Sequence, residues 1–104
     1  MTTREVWTNQ DTTSLFEAML ALKTVPEAES FFRDLCTLHE LEELAGRWAV
    51  VRLLEEGRNY REISEQTGAS TATVTRIAQW LRHGTGGYRL LLDRLRLSAK
   101  PARR

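Results

Sequence analysis

The sequence has little cysteine and proline and no long hydrophobic run. One cysteine among 104 residues, Cys36, excludes an internal disulfide and favours a reducing compartment. No apolar stretch reaches the length of a membrane span or of a signal-peptide core, so we expect a cytoplasmic protein without a membrane partner. The chain length predicts one helical domain over residues 1–104 with a thin core.

Catalytic and metal-binding patterns are also missing. His39-Glu40-Leu41-Glu42-Glu43 resembles the start of a zinc-protease helix, but Glu43 stands where the second histidine is needed. Gly84-Thr85-Gly86-Gly87 lacks the Lys-Ser/Thr ending of a phosphate loop. Cys36 has no evident histidine partner, and no general acid–base pair is evident. We therefore expect no enzyme activity, no metal and no cofactor.

The charge is divided unevenly along the chain. Residues 1–43 carry nine acidic and three basic side chains, a net charge of −6. Residues 44–104 carry twelve basic and five acidic side chains, a net charge of +7. A basic carboxyl-terminal part suits phosphate binding, although ordinary charge fluctuation is the alternative explanation.

The apolar spacing is helical nearly throughout, which predicts an all-α fold of six helices. Asparagine, serine or threonine can cap several helix starts, and Gly57 and Gly68 can end helices. We predict helices over Thr13–Lys23, from Thr24 to near Leu35, from Thr37 to Gly57, from Asn59 to Gly68, from Ser70 to about residue 82, and over Tyr88–Leu97.

Residues 60–82 have the layout of a helix-turn-helix, with Gly68 in the turn and Ser70 as the cap of the second helix. Val74, Ile77 and Leu81 form an apolar stripe for the core. The opposite face carries hydroxyls, a methyl group, an amide and a guanidinium, which suit base edges and phosphates. An ordinary hairpin with a solvated threonine face is the alternative. The predicted DNA-binding residues are Arg61, Ser70, Thr71, Ala72, Thr73, Thr75, Arg76 and Gln79.

Six helices in so short a chain leave apolar surface exposed, which favours oligomerisation. We predict dimerisation helices at about 13–56 and 88–97. In a two-fold dimer the recognition helices would lie about 34 Å apart, one turn of DNA. A compact monomeric bundle is the alternative. The candidate shared core is Phe16, Phe31, Phe32, Trp48, Leu90, Leu91 and Leu95.

The recognition segment Gly68 to Arg76, G-A-S-T-A-T-V-T-R, resembles that of the Trp repressor superfamily. Leu35–Gly57 is similar to the long central helix of the family, and the likeness spans roughly Ser14 to Leu97. The sequence is most similar to the small Trp-repressor-related group of YerC/YecD type. The resemblance implies an all-helical, interlocked homodimer that binds operator DNA and regulates transcription, at the nucleoid of a bacterium.

The resemblance also implies a candidate effector pocket. Thr37, Arg47 and Arg76 match the threonine and the two arginines that hold the corepressor in the classical repressor. Ile77 stands where that family has glycine, and Trp80 stands where it has a ligand-binding serine. We expect that tryptophan is not the effector. Trp80 either fills this pocket itself or packs in the core.

We therefore expect a sequence-specific DNA-binding transcriptional regulator, and repression as its mode. Thr71, Ala72 and Thr75 would read base edges, and Ser70, Thr73 and Arg61 would hold phosphates or flank them. Two alternatives remain: a sensor that responds to a metabolite other than tryptophan, with Arg47 and Arg76 binding a carboxylate, and a helical interaction module that does not bind DNA.

Overall fold

Side chains that can accept a hydrogen bond from a backbone N–H precede the predicted helices. The observed helices begin close to these capping side chains. The computed structural model describes residues 7–99, with side chains as far as Arg96, so the ends of the predicted 1–104 domain lie outside the described residues. Within this part of the chain there are six α-helices and no strand. They are α1 (Gln10–Leu20), α2 (Val25–Leu35), α3 (Leu38–Glu55), α4 (Tyr60–Thr67), α5 (Thr71–His83) and α6 (Gly87–Ala99).

Capping side chains fix the starts of α4 and α5 as predicted. Asn59 Oδ1 accepts the N–H of Glu62 at 2.9 Å, and the Glu62 carboxylate accepts the N–H of Asn59 at 3.3 Å. Ser70 Oγ accepts the N–H of Thr73 at 3.1 Å. These bonds satisfy N–H groups that have no partner inside the helix.

The predicted start of α1 was wrong by three residues. The helix begins at Gln10 rather than Thr13, because Asn9 is its cap. Asn9 Oδ1 accepts the N–H of Thr12 at 3.0 Å, and Thr12 Oγ1 accepts the N–H of Asn9 at 2.9 Å. A threonine thus closes a reciprocal cap that usually carries glutamate or glutamine.

The described chain falls into two compact units, which divide between Leu41 and Glu42 within α3. In the first unit, neither α1 nor α2 buries any side chain fully. Leu20 is 84% exposed and Val25 is 70% exposed, while Trp7 and Phe16 meet edge to face at 6.1 Å between ring centroids. No helix of the described residues is long and apolar enough to cross a membrane.

The second unit holds the buried core, to which α3, α4, α5 and α6 all contribute. The predicted stripe of α5 is present, with Val74 and Ile77 buried and Leu81 packed against them. Trp48 and Tyr88 also pack on this core and contact each other at 6.3 Å between ring centroids. The buried residues are Val50, Val51, Ile63, Val74, Ile77, Ala78 and Leu92.

An ion-pair cluster joins the end of α3 to α6. Arg89 donates to both carboxylate oxygens of Glu55, at 2.9 and 3.1 Å, and Arg96 donates to the same carboxylate. The hydrogen bond from Arg89 holds the pKa of Glu55 below its usual value, against the opposing effect of burial. The same bond raises the pKa of Arg89.

Candidate nucleic-acid interface

The turn between α4 and α5 is fixed by side chains as well as by glycine. Gly68 has φ +80°, the left-handed conformation in which glycine carries no steric cost. Ser64 Oγ donates to the carbonyl of Ala69 at 2.6 Å. Thr67 Oγ1 donates to the carbonyl of Ile63 at 2.7 Å and accepts the N–H of Ala69 at 3.2 Å. These bonds fix the position of α5 relative to α4.

Helix α5 is buried on one face and open on the other. Val74, Ile77 and Ala78 on its inner face are at most 1% exposed. The outer surface of α5 carries exposed polar and small side chains, and Arg61 is exposed near the start of α4. We call this outer surface the reading face, and it consists of Ser70, Thr71, Ala72, Thr75, Arg76 and Gln79.

Two sets of hydrogen bonds organise the hydroxyls of α5. Thr75 Oγ1 donates to the carbonyl of Thr71 at 2.9 Å. Thr73 is half-buried, and its Oγ1 accepts from Ser70 Oγ at 3.1 Å and from Arg76 Nη2 at 3.3 Å. Arg76 is therefore connected through Thr73 to the capping residue of α5.

A cavity of about 470 Å³ opens beside this hydrogen-bonded chain. Arg47, Arg76 and Trp80, three of the four predicted effector residues, line it, and the Trp80 side chain is 48% exposed. Thr37 belongs to the first unit, where its hydroxyl accepts the N–H of Glu40 at 3.1 Å and caps α3. The cavity is lined by Glu42, Glu43, Gly46, Arg47, Val50, Thr67, Gly68, Ala69, Thr73, Arg76, Ile77 and Trp80.

Comparison with known proteins agrees with this arrangement. The sequence profile of the Trp repressor protein family matches residues 10–96. The chain belongs to the Trp repressor family. This is a family of DNA-binding transcription regulators with a helix-turn-helix.

Individual relatives support the same assignment. The uncharacterised protein YerC of Bacillus subtilis is 45% identical over 82 residues, which cover 79% of each chain. A Trp operon repressor homolog of Chlamydia trachomatis is 31% identical over 84 residues, or 76% of this chain and 89% of that protein. The crystal structure of a TrpR-like protein from Eubacterium eligens matches with a TM-score of 0.80 and 44% identity, covering 84% of this chain and 90% of that one.

Several site features of this Trp repressor family member were not predicted from the sequence. The acidic side chains of Glu42 and Glu43 line the cavity together with the two arginines. Gly46 lies one turn before Val50 on α3 and contributes no side chain to the wall. The helical spacing could have predicted this wall, because residues three and four apart, such as Glu43 and Arg47, share one helix face. The apolar pattern of α3 predicts only its core-facing side.

The far end of α5 is joined to α4 by a polar contact. Arg82 Nη2 donates to the hydroxyl of Tyr60 at 3.3 Å. Tyr60 is the first residue of α4 and packs against the core. Helices α4 and α5 are thus linked both at their turn and at the ends that lie away from it.

Proposed function

We propose that this protein is a sequence-specific transcriptional repressor that binds operator DNA as a homodimer and inserts α5 into the major groove. The observation that carries the proposal is the contrast between the two faces of α5. Its inner face is fixed in the core, while its reading face presents Thr71, Ala72 and Thr75 to solvent. Their hydroxyls and methyl groups match the donors, acceptors and thymine methyls of the major groove.

The dimer is proposed because the described residues of the first unit include no fully buried side chain. Helices α1 and α2 bury no side chain, and α6 leaves Leu90, Leu91 and Leu95 between 44% and 49% exposed. Apolar helix faces of this kind are stable when another surface covers them. A second copy of the chain would cover them and would place two reading faces about one DNA turn apart.

Binding to duplex DNA at several salt concentrations tests the proposal. Fluorescence anisotropy should show that the logarithm of the affinity falls linearly with the logarithm of the salt concentration, since arginines displace cations from phosphates. A duplex recovered by selection from genomic DNA should bind more tightly than random duplex. An affinity for random duplex that does not fall steeply with salt would instead favour a helical interaction module.

Substitution of Thr75 by glutamate tests the role of the reading face. Thr75→Glu places a charge against the bases and should reduce specific binding by about 1–3 kcal/mol. Thr85→Glu adds the same charge to an exposed threonine between α5 and α6, outside the predicted DNA-binding residues and dimerisation helices, and serves as the control. Equal losses in the two variants would mean that net charge, rather than contact with bases, explains the effect.

A metabolite-responsive regulator is the second candidate, and the cavity beside α5 favours it. Arg47 and Arg76 both line this cavity, and arginine is well suited to bind a carboxylate. Trp80 and Ile77 occupy part of its wall, so we expect no micromolar affinity for tryptophan in a calorimetric titration. A thermal-shift screen of small metabolites should reveal a ligand if the cavity is an effector site. Micromolar binding of tryptophan would contradict the proposed selectivity.

A further inference from the structure

We infer that α5 fixes the hydrogen-bond polarity of two threonine hydroxyls. Thr75 acts as an acceptor that selects an exocyclic amino group on a base, and Thr73 acts as a donor to a backbone phosphate. This inference rests on the proposed DNA-binding function. It goes further by giving each hydroxyl a direction and by naming the chemical group that each one contacts.

The polarity of Thr75 follows from its bond within the helix. A threonine hydroxyl has one proton and two lone pairs. The Thr75 proton is used in the 2.9 Å bond to the carbonyl of Thr71. The side chain is exposed, so its lone pairs are what it offers to a partner. Thr75 is therefore set to accept a hydrogen bond.

The polarity of Thr73 is the opposite. Ser70 Oγ and Arg76 Nη2 both donate to Thr73 Oγ1, which occupies the two lone pairs of that oxygen. Its own proton is the group left to donate. Hydrogen bonds in a chain polarise one another, so donation from a guanidinium strengthens the Thr73 hydroxyl as a donor. A phosphate oxygen is the acceptor that DNA offers in greatest number.

These polarities have different consequences for recognition. In the major groove, adenine N6 and cytosine N4 are donors, whereas guanine O6 and N7 and thymine O4 are acceptors. An acceptor hydroxyl at Thr75 favours the amino groups and disfavours the carbonyls at the same place. A donor hydroxyl at Thr73 contacts a group that every nucleotide has. Thr75 should therefore set specificity, while Thr73 should add affinity without regard to sequence.

Base analogues that lack only the amino group test the role of Thr75. In the tightest duplex from a random-sequence selection, each adenine is replaced in turn by purine and each cytosine by 2-pyrimidinone. The wild type should lose about three- to tenfold in affinity at one position per half-site, the range expected for one hydrogen bond. The Thr75→Val variant keeps the shape but lacks the hydroxyl, so the analogue should cause no loss of affinity at that position. The Thr75→Ser variant has a hydroxyl again and should show the same loss as the wild type.

The comparison of wild type with Thr75→Val removes the effect of each analogue on the duplex itself, because that effect is common to both proteins. An equal loss in both proteins at every position would overturn the role of Thr75. Sensitivity to loss of guanine O6, tested with 2-aminopurine and abolished in Thr75→Val, would also overturn it, because Thr75 would then be a donor.

A second pair of variants tests Thr73. Thr73→Val should weaken binding to the selected duplex and to random duplex by the same factor, about three- to tenfold, and Thr73→Ser should restore both. Circular dichroism and thermal unfolding establish that both variants fold. A Thr73→Val effect confined to the selected duplex would overturn the inference. Failure of the wild type to bind any duplex would refute the proposed function itself, which is a separate outcome.

Discussion

Gly84 occupies a position where the backbone leaves no room for a side chain. A Cβ atom built on Gly84 would lie 2.4 Å from the carbonyl oxygen of Trp80 and 3.2 Å from its carbonyl carbon. The N–H of Gly84 donates to that same carbonyl at 2.8 Å and closes the last turn of α5. The glycine-rich segment after α5 resembles a flexible linker in sequence. Its first glycine, however, lets the backbone lie close to the carbonyl of Trp80 in the last turn of α5.

Gly84→Ala should destabilise the protein by about 1–3 kcal/mol, the usual cost of forcing extra atoms into a packed site. Because the contacted atoms belong to the backbone, a side-chain rotation cannot relieve the clash. Urea unfolding measures the change. Gly87→Ala is the matched control, since nothing lies within 4 Å of its added Cβ atom. Equal stability of the two variants would contradict the steric role of Gly84.

At the scale of single elements, α3 contains a glycine, Gly46, that no contact with the described residues requires. Gly46 lies in the middle of this 18-residue helix, and nothing lies within 4 Å of a Cβ atom added there. Glycine inside a helix costs about 1 kcal/mol relative to alanine. The absence of a side chain at Gly46 keeps the wall of the cavity open beside Arg47.

Gly46→Ala should therefore raise the free energy of unfolding by about 1 kcal/mol. The exposed neighbour Ala45 provides the reverse control, because Ala45→Gly should lower it by a similar amount. Chemical denaturation of both variants gives the comparison. A destabilised Gly46→Ala would mean that a group from outside the chain occupies the position of the added methyl group.

The link between α3 and α6 gives stability that depends on pH. Glu55 has a pKa below its usual value near 4.5 because of its hydrogen bond to Arg89, with Arg96 adding to the effect. A carboxylate with a lowered folded-state pKa stabilises the protein above its unfolded-state pKa. This stabilisation is lost as the pH falls through the lower, folded-state value.

Glu55→Gln should therefore lower the Tm at pH 7. Its difference in Tm from the wild type should begin to shrink below about pH 4.5 and vanish only below the lowered folded-state pKa of Glu55. Differential scanning calorimetry at several pH values tests this expectation. Glu56→Gln is the control, because Glu56 pairs with the neighbouring Arg58 at 3.5 Å rather than with α6. A Tm difference that stays constant down to pH 3 would contradict the role of the Glu55 ion pairs.

The sequence predicted helix positions well where a polar cap precedes an apolar stripe. Asn59 and Ser70 are such caps, and α4 and α5 begin directly after them. The start of α1 was wrong because the Asn9 and Thr12 pair is an uncommon form of the reciprocal cap. The bonds that converge on Thr73 could not be predicted, since spacing places these side chains on one face but does not fix their rotamers.

At the scale of the whole molecule, the apolar surface of the first unit determines how stability should vary with concentration. Helices α1 and α2 bury no side chain, and the described buried core comes from the second unit. In the proposed homodimer, unfolding separates two chains, so mass action favours the folded state at high protein concentration.

The Tm should therefore rise with protein concentration over a hundredfold range, and sedimentation equilibrium should give the mass of two chains. Phe16→Glu places a charge on an exposed apolar side chain of α1 and should weaken this dependence. Gln66→Glu, which also adds one negative charge but at an exposed position of α4 outside the predicted dimerisation helices, is the control. A Tm that does not change with concentration, together with a single-chain mass, would contradict the dimer.

The unburied first two helices also connect the activity of the protein with its abundance in the cell. If only the paired form presents two recognition helices at once, the amount of active protein rises with the square of the chain's copy number while most chains are single. Halving the supply of the chain would then reduce the paired form about fourfold. Occupancy of the target genes would respond to dilution at cell division more steeply than it would for a protein that binds DNA as a single chain.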